Sequence, residues 1–198
     1  MPKKDFSEII CIIDRSGSMG SIRNDSIFGF NTFLQEQKKL PGEANLTLIL
    51  FDDEYLVVHN NVNIQDVPEL TEKTYVPRGW TALLDAIGKT IVTVGERLDK
   101  TPEENRPEKV IVAILTDGEE NDSEEYTSKE KINEMITHQR EKYNWQFIFL
   151  GANQDAFKTG GSLGINSADT FNFAANSVGT RSAYNNMTKT VSSYRTNS

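Results

Sequence analysis

A single cysteine, Cys11, leaves no partner for an internal disulfide, so the fold has to be held by its apolar core. Cys11 stands in Ile9-Ile10-Cys11-Ile12-Ile13 and reads as a small buried hydrophobe. A tyrosine-phosphatase loop would carry its arginine further along the chain than Arg15 stands, which removes that chemistry. Histidine is nearly as scarce: His59 and His138 fall on different elements without metal-ligand spacing. Positive charge is short too, with 21 Lys and Arg against 29 Asp and Glu, a net charge of -8 and a pI near 4.9. With no basic cluster to offset that excess, phosphate backbones and anionic lipid surfaces are repelled, so neither nucleic acid nor a membrane is expected as partner. The longest apolar runs, such as Val110 to Leu115, are far too short to span a bilayer. Met1-Pro2-Lys3-Lys4-Asp5 leads into a strand rather than a signal-peptide apolar segment, so a cytoplasmic location is expected.

What is present suits a globular chain. The composition is 37% hydrophobic and 25% charged, and 198 residues fit one domain spanning 1–198. There is no internal repeat or low-complexity stretch. Ser7 to Ile13 and Val110 to Thr116 are near-continuous apolar runs rich in β-branched residues, as central strands covered on both faces require. Leu46 to Phe51 and Tyr55 to His59, joined by Asp52-Asp53-Glu54, predict a hairpin at a sheet edge, and Trp145 to Gly151 and Thr170 to Ala174 predict two more strands. Helical spacing runs from Ile22 to about Lys38, Thr81 to Leu98, Lys129 to Tyr143, Ala156 to Leu163 and Val178 to Tyr194. Strands alternating with helices predict a doubly wound, mostly parallel six-stranded α/β sheet with one antiparallel edge strand and helices on both faces. Ligands in such sheets bind beyond the carboxyl ends of the strands, which directs attention to the loops after Ile13 and after Thr116.

Asp14-Arg15-Ser16-Gly17-Ser18 follows the first buried strand directly, and residues two apart in such a turn can aim Asp14, Ser16 and Ser18 into one concavity. All three offer hard oxygen ligands. A magnesium-class cation takes about six oxygens at roughly 2.1 Å and keeps some of its waters. Thr81, after Arg78-Gly79-Trp80, can supply a further hydroxyl, and Asp117, in Leu115-Thr116-Asp117-Gly118, a further carboxylate. Spacing alone places neither of them at the site.

The strand ending in Asp14-x-Ser16-x-Ser18, the later Thr81 and the strand-ending Asp117-Gly118 resemble the metal-ion-dependent adhesion site of the von Willebrand factor A family, and the order of elements along nearly the whole chain agrees. The resemblance is to stand-alone bacterial or phage members. It implies direct metal ligation by Ser16 and Ser18, with Thr81 joining in the ligand-competent state, and action through bound water for Asp14 and Asp117. It also implies a remaining coordination position for a partner protein's exposed Asp or Glu, within an intracellular assembly or a phage particle. The expected ion is Mg2+, with Mn2+ or Ca2+ as substitutes. Mostly neutral ligands leave a cation's charge incompletely neutralised, which favours an incoming carboxylate and makes metal and partner binding cooperative.

Arg78 and Trp80 flank Thr81; either they form an exposed contact anchor, or Trp80 packs under its loop and Arg78 pairs with a nearby acid. Asp85, one turn beyond Thr81, either supports the site by hydrogen bonding or favours a helix N-terminus. Gly88-Lys89-Thr90 resembles the end of a phosphate-binding loop, but Leu83 stands where that loop needs glycine. The acidic run Glu119 to Glu125 lacks the central glycine of an EF-hand and reads as a solvated loop. Haloacid-dehalogenase-like phosphotransferases need Asp-x-Asp, and here the second position is Ser16, whose hydroxyl cannot act as an acid or base near neutral pH. The expectation is therefore a binding module and not an enzyme. A second possibility is a purely structural metal, with the partner on the edge at Tyr55 to His59.

Overall fold

A computed structural model describes residues 1–153 and 155–197. Its centre is a six-stranded sheet of β1 (Lys3–Asp14), β2 (Glu43–Phe51), β3 (Tyr55–Asn63), β4 (Pro107–Thr116), β5 (Gln146–Ala152) and β6 (Thr170–Phe173). The strand order is β3-β2-β1-β4-β5-β6, and every neighbouring pair is parallel except β2 with β3. The helices are α1 (Arg23–Lys39), α2 (Leu83–Lys100), α3 (Lys129–Tyr143), α4 (Ala156–Ser162) and α5 (Ser177–Thr196). No helix among the described residues is long and apolar enough to cross a membrane.

The unbroken apolar runs belong to the inner strands because both of their faces are covered. Along β1, Ile9, Cys11 and Ile13 point into one core with Phe30, Phe33 and Leu34 of α1 and Ala183, Tyr184 and Met187 of α5. Ile10 and Ile12 point into the other, with Leu84, Ile87 and Ile91 of α2 and Ile132 and Ile136 of α3. Fully burying each Ile, Leu, Phe or Met side chain among these contributes about 1.5–3 kcal/mol. Cys11 lies at 0% exposure, inside the first core.

This winding positions the site. The β1–α1–β2 step runs outward across one face, and the β4–α3–β5 step runs the opposite way across the other. β1 and β4 therefore lie side by side at the point where the strand order reverses, with a crevice over their carboxyl ends.

The elements depart from the expected boundaries mainly at their ends. β1 and β4 begin earlier, at Lys3 and Pro107, because main-chain pairing continues past the apolar segment. β3 extends to Asn63 with two register irregularities against β2 and a left-handed Asn61 (φ 54°). Bulges of this kind blunt an open edge against further pairing. Residues 17–22 form a 3₁₀ turn ahead of α1. Thr81 is not in the helix: α2 starts at Leu83, which leaves Thr81 on the loop before it. Gly88-Lys89-Thr90 lies inside α2 as expected but is not the helix surface it reads as: Gly88 is buried beneath the Tyr126 ring and Thr90 is 1% exposed.

Candidate metal centre

Three loops meet over the ends of β1 and β4. The first runs on from β1. Asp14 is fully buried there: its Oδ1 accepts the Ser16 N–H at 2.6 Å, and its Oδ2 accepts the Thr116 hydroxyl at 2.6 Å. Its carbonyl accepts the hydroxyl of the buried Tyr75 at 2.6 Å, so backbone and carboxylate are both held in place. The loop then turns so that the Ser16 and Ser18 hydroxyls lie 3.2 Å apart, Ser16 buried and Ser18 exposed. Ser18 Oγ donates to Asp117 Oδ1 at 2.5 Å, joining the end of β1 to the end of β4. Thr81 is 4% exposed, and its N–H donates to Asn121 Oδ1 at 2.9 Å. A Cβ built on Gly118 would stand 3.2 Å from Thr81 Oγ1 and 3.8 Å from Ser18 Oγ, so the glycine lets the threonine and serine hydroxyls approach the same spot.

The five side chains expected to form one site thus converge, two as carboxylates and three as hydroxyls. Both carboxyls resist ionisation. Burial pushes Asp14 up to about 6, opposed by the hydrogen bonds from Thr116 and Ser16 and reinforced by the negative charge of Asp117. Burial likewise raises Asp117, opposed by the Ser18 hydroxyl. Two partly desolvated acids facing three hydroxyl oxygens make a hard, negatively polarised pocket, and that donor set fits a small divalent cation. No group of three or more His, Cys, Asp or Glu side chains able to hold a metal occurs among the described residues; the cluster is a candidate on its own donor set of three hydroxyls and two carboxylates.

The frame around the cluster rests on Asp52, which has 0% exposure. Its carboxylate faces Arg15 Nε at 3.1 Å and Arg78 Nε at 3.2 Å, and its carbonyl accepts the Ala82 N–H at 2.9 Å. The Arg15 Nε contact is an ion pair without hydrogen-bond alignment, while Arg15 Nη2 donates to Asp52 Oδ1 at 3.5 Å. Asp52 thereby ties the Asp14–Ser18 loop, the β2–β3 turn and the Thr81 loop to one another. Arg78 also reaches Asp53 at 3.4 Å and Glu54 at 3.0 Å, so it pairs with nearby acids. Trp80 does not pack under its loop: it is 67% exposed. The Asp85 carboxylate is occupied by the N–H groups of Glu124, Glu125 and Tyr126, so it orders the loop after Asp117 and makes no hydrogen bond to the five clustered side chains. Glu120 works beside it, accepting the Leu84 N–H at 2.8 Å, so the acidic run is a solvated loop that hydrogen bonds hold in place.

Sequence reasoning missed Asp52, Tyr75, Thr116 and Asn121 as supports of the site. Thr116 carried a signal, since it ends a buried strand next to Asp117. The others stand in polar stretches with no periodicity to mark them as buried or bonded.

No family model and no curated protein matches the chain. Solved structures do. Proximal thread matrix protein 1 from the mussel byssus is 14% identical with a TM-score of 0.62, covering 94% of this chain and 46% of that one. It has also been solved with a zinc-occupied MIDAS motif. The ArnB paralog VWA2 from Sulfolobus acidocaldarius is 18% identical with a TM-score of 0.54, covering 86% of this chain and 42% of that one. The manganese-loaded TRAP protein of Plasmodium vivax is 17% identical with a TM-score of 0.58, covering 90% of this chain and 72% of that one. The chain thus spans under half the length of the mussel and Sulfolobus proteins. Sheet order, switch point and these likenesses together show that the chain has the von Willebrand factor A-type fold.

Proposed function

We propose that this domain is a non-enzymatic, divalent-metal-dependent protein-binding module that recognises an exposed Asp or Glu of its partner. The observation that carries the reading is the composition of the cluster: Ser16, Ser18 and Thr81 bring neutral hydroxyls, and only Asp14 and Asp117 bring charge. A bound Mg2+ would supply an electrophilic centre for the partner's carboxylate. Ser16, Ser18 and Thr81 would hold it directly, and Asp14 and Asp117 through water. The mussel protein's zinc-occupied MIDAS motif and the manganese-loaded TRAP protein, which share the fold, support a divalent ion as the bound group.

The chain's own residues prepare the site. Tyr75 and Thr116 fix Asp14, and Asp52 holds the two ligand-bearing loops in register before any ion arrives. That preorganisation lowers the ordering cost of binding. A hydrolase reading lacks its acid/base group, since the residue two after Asp14 is Ser16. A partner on the β3 edge is disfavoured by the two breaks in that strand's pairing.

Isothermal titration of Mn2+ and Mg2+ into the wild type and Ser16→Ala tests the reading. The wild type should bind one ion, and Ser16→Ala should bind at least about tenfold more weakly. Equal affinity in both proteins would refute the assignment.

A further inference from the structure

Trp80 is the largest exposed apolar side chain next to the proposed ligand Thr81, and its backbone is unusually well fixed for so exposed a residue. Arg78 N–H donates to the Arg15 carbonyl at 2.8 Å, and the Gly79 carbonyl accepts the Gly17 N–H at 3.2 Å. Trp80 N–H points to Asp53 Oδ1 at 3.4 Å, and the Thr81 carbonyl accepts the Asn121 N–H at 3.1 Å. Gly79 has a φ of 66°, and a Cβ there would stand 1.6 Å from Asp53 Oδ1, so only glycine allows this path. The loop is therefore built to hold an indole in solvent, where leaving it uncovered has a hydrophobic cost.

Two acidic loops are bonded to the backbone at Trp80 and Thr81. One is the β2–β3 turn with Asp53 and Glu54, reached through Trp80 N–H. The other is the segment with Glu119, Asp122, Glu124 and Glu125, reached through the Asn121 bonds to Thr81. All six carboxylates are at least partly exposed. Arg78 and Lys89 offset part of this charge through their ion pairs with Glu54 and Glu125. An isolated carboxylate approaching the cluster meets repulsion from both loops, whereas one accompanied by a cation does not. A guanidinium or ammonium group over an indole face also gains cation–π attraction.

Resting on the carboxylate-binding reading above, we infer that Trp80 is a specificity anchor: the partner segment carries a Lys or Arg within a few residues of its metal-seeking Asp or Glu, and that cation packs on the exposed Trp80 indole within the field of the two acidic loops. The partner class is thus a mixed-charge protein loop, not a uniformly acidic one.

Three blocked pentapeptides test this: Arg-Ala-Glu-Ala-Gly, Gln-Ala-Glu-Ala-Gly and Arg-Ala-Gln-Ala-Gly. Each is titrated into 15N-labelled protein with Mg2+ and with EDTA, following backbone amides and the two indole N–H signals. Trp145 is buried at 4% exposure, so the Trp80 indole gives a separable solvent-exposed signal. With Mg2+, the Arg–Glu peptide should bind about threefold to tenfold more tightly than the Gln–Glu peptide and shift the Trp80 indole. Trp80→Ala, with an unchanged melting curve, should bring those two affinities together. Equal affinities in the wild type, or an unchanged ratio in Trp80→Ala, would overturn the Trp80 assignment while metal-dependent binding left the carboxylate reading standing. Binding that ignores EDTA, an Arg–Gln peptide as good as the Arg–Glu one, or no binding of any peptide would overturn both.

Discussion

Glu8 shows how much a single buried charge can shape this fold. It sits at 1% exposure in the middle of β1, paired with Arg97 of α2 and reached by the Thr47 hydroxyl at 3.4 Å. Burial raises its carboxyl above the ordinary value, and the Arg97 charge only partly opposes that rise. The folded state therefore holds the Glu8 proton more tightly than the unfolded chain does. The resulting stabilisation is fully present below the ordinary glutamate pKa and is lost as pH rises through the elevated folded-state value. Glu8→Gln cannot lose it. Urea denaturation across mildly acidic to neutral pH should show the variant gaining on the wild type as pH rises, and a constant difference would contradict the assignment. Asp52 shows the opposite limit of sequence reading. Within Asp52-Asp53-Glu54 it looks like one more solvated turn residue, yet it is the fully buried one, because Arg15 and Arg78 come to it from loops that are distant in sequence. Nothing local distinguishes it from Asp53. By contrast, Asp14, Ser16 and Ser18 stand in one short motif that ends a buried strand, whereas Thr81 and Asp117 were placed beside them only by the resemblance.

At the scale of elements, apolar periodicity located every helix and strand, since burial of one face or two dictates the pattern. The 3₁₀ turns at 17–22, 64–66, 103–105 and 167–169 were not legible, as one turn of backbone is too short to carry a period. Thr81 was assigned to a helix because its neighbours Leu83, Leu84 and Ile87 continue a helical stripe, whereas its N–H is bound by Asn121 and lies outside that helix. Helix pairing adds a sharper constraint. Gly29 of α1 lies against Tyr184 of α5, and a Cβ there would come within 2.3 Å of the tyrosine ring. Both residues are buried, so the ring has little room to retreat. Gly29→Ala should therefore destabilise the fold by about 1–3 kcal/mol despite alanine's better helix propensity. Chemical denaturation would measure it, and a neutral or stabilising change would show that α1 and α5 can separate freely.

For the molecule as a whole, the proposed metal joins loops that belong to separate halves of the chain, and it should bind the folded state alone. A ligand with that preference stabilises by about 2.7 kcal/mol at a hundred times its Kd. Thermal melts of the wild type should thus shift upward with added Mn2+, and Asp117→Ala should show no metal-dependent shift. An equal shift in both proteins would place the ion elsewhere. The mixed sheet followed from the alternation of strands and helices, but the side-by-side placement of β1 and β4, which makes the switch point, could not be read from local pattern, because parallel neighbours leave no turn between them to mark the pairing.

That placement has a consequence for biosynthesis. Ser18 meets Asp117 across 99 residues and Asp14 meets Thr116 across 102. A nascent chain that has not yet released β4 from the ribosome carries Asp14, Ser16, Ser18 and Thr81 but lacks the strand end whose Thr116 and Asp117 hold Asp14 and Ser18. The full cluster therefore closes only in chains translated past Asp117 and wound so that β4 lies against β1, and a product truncated before β4 lacks it.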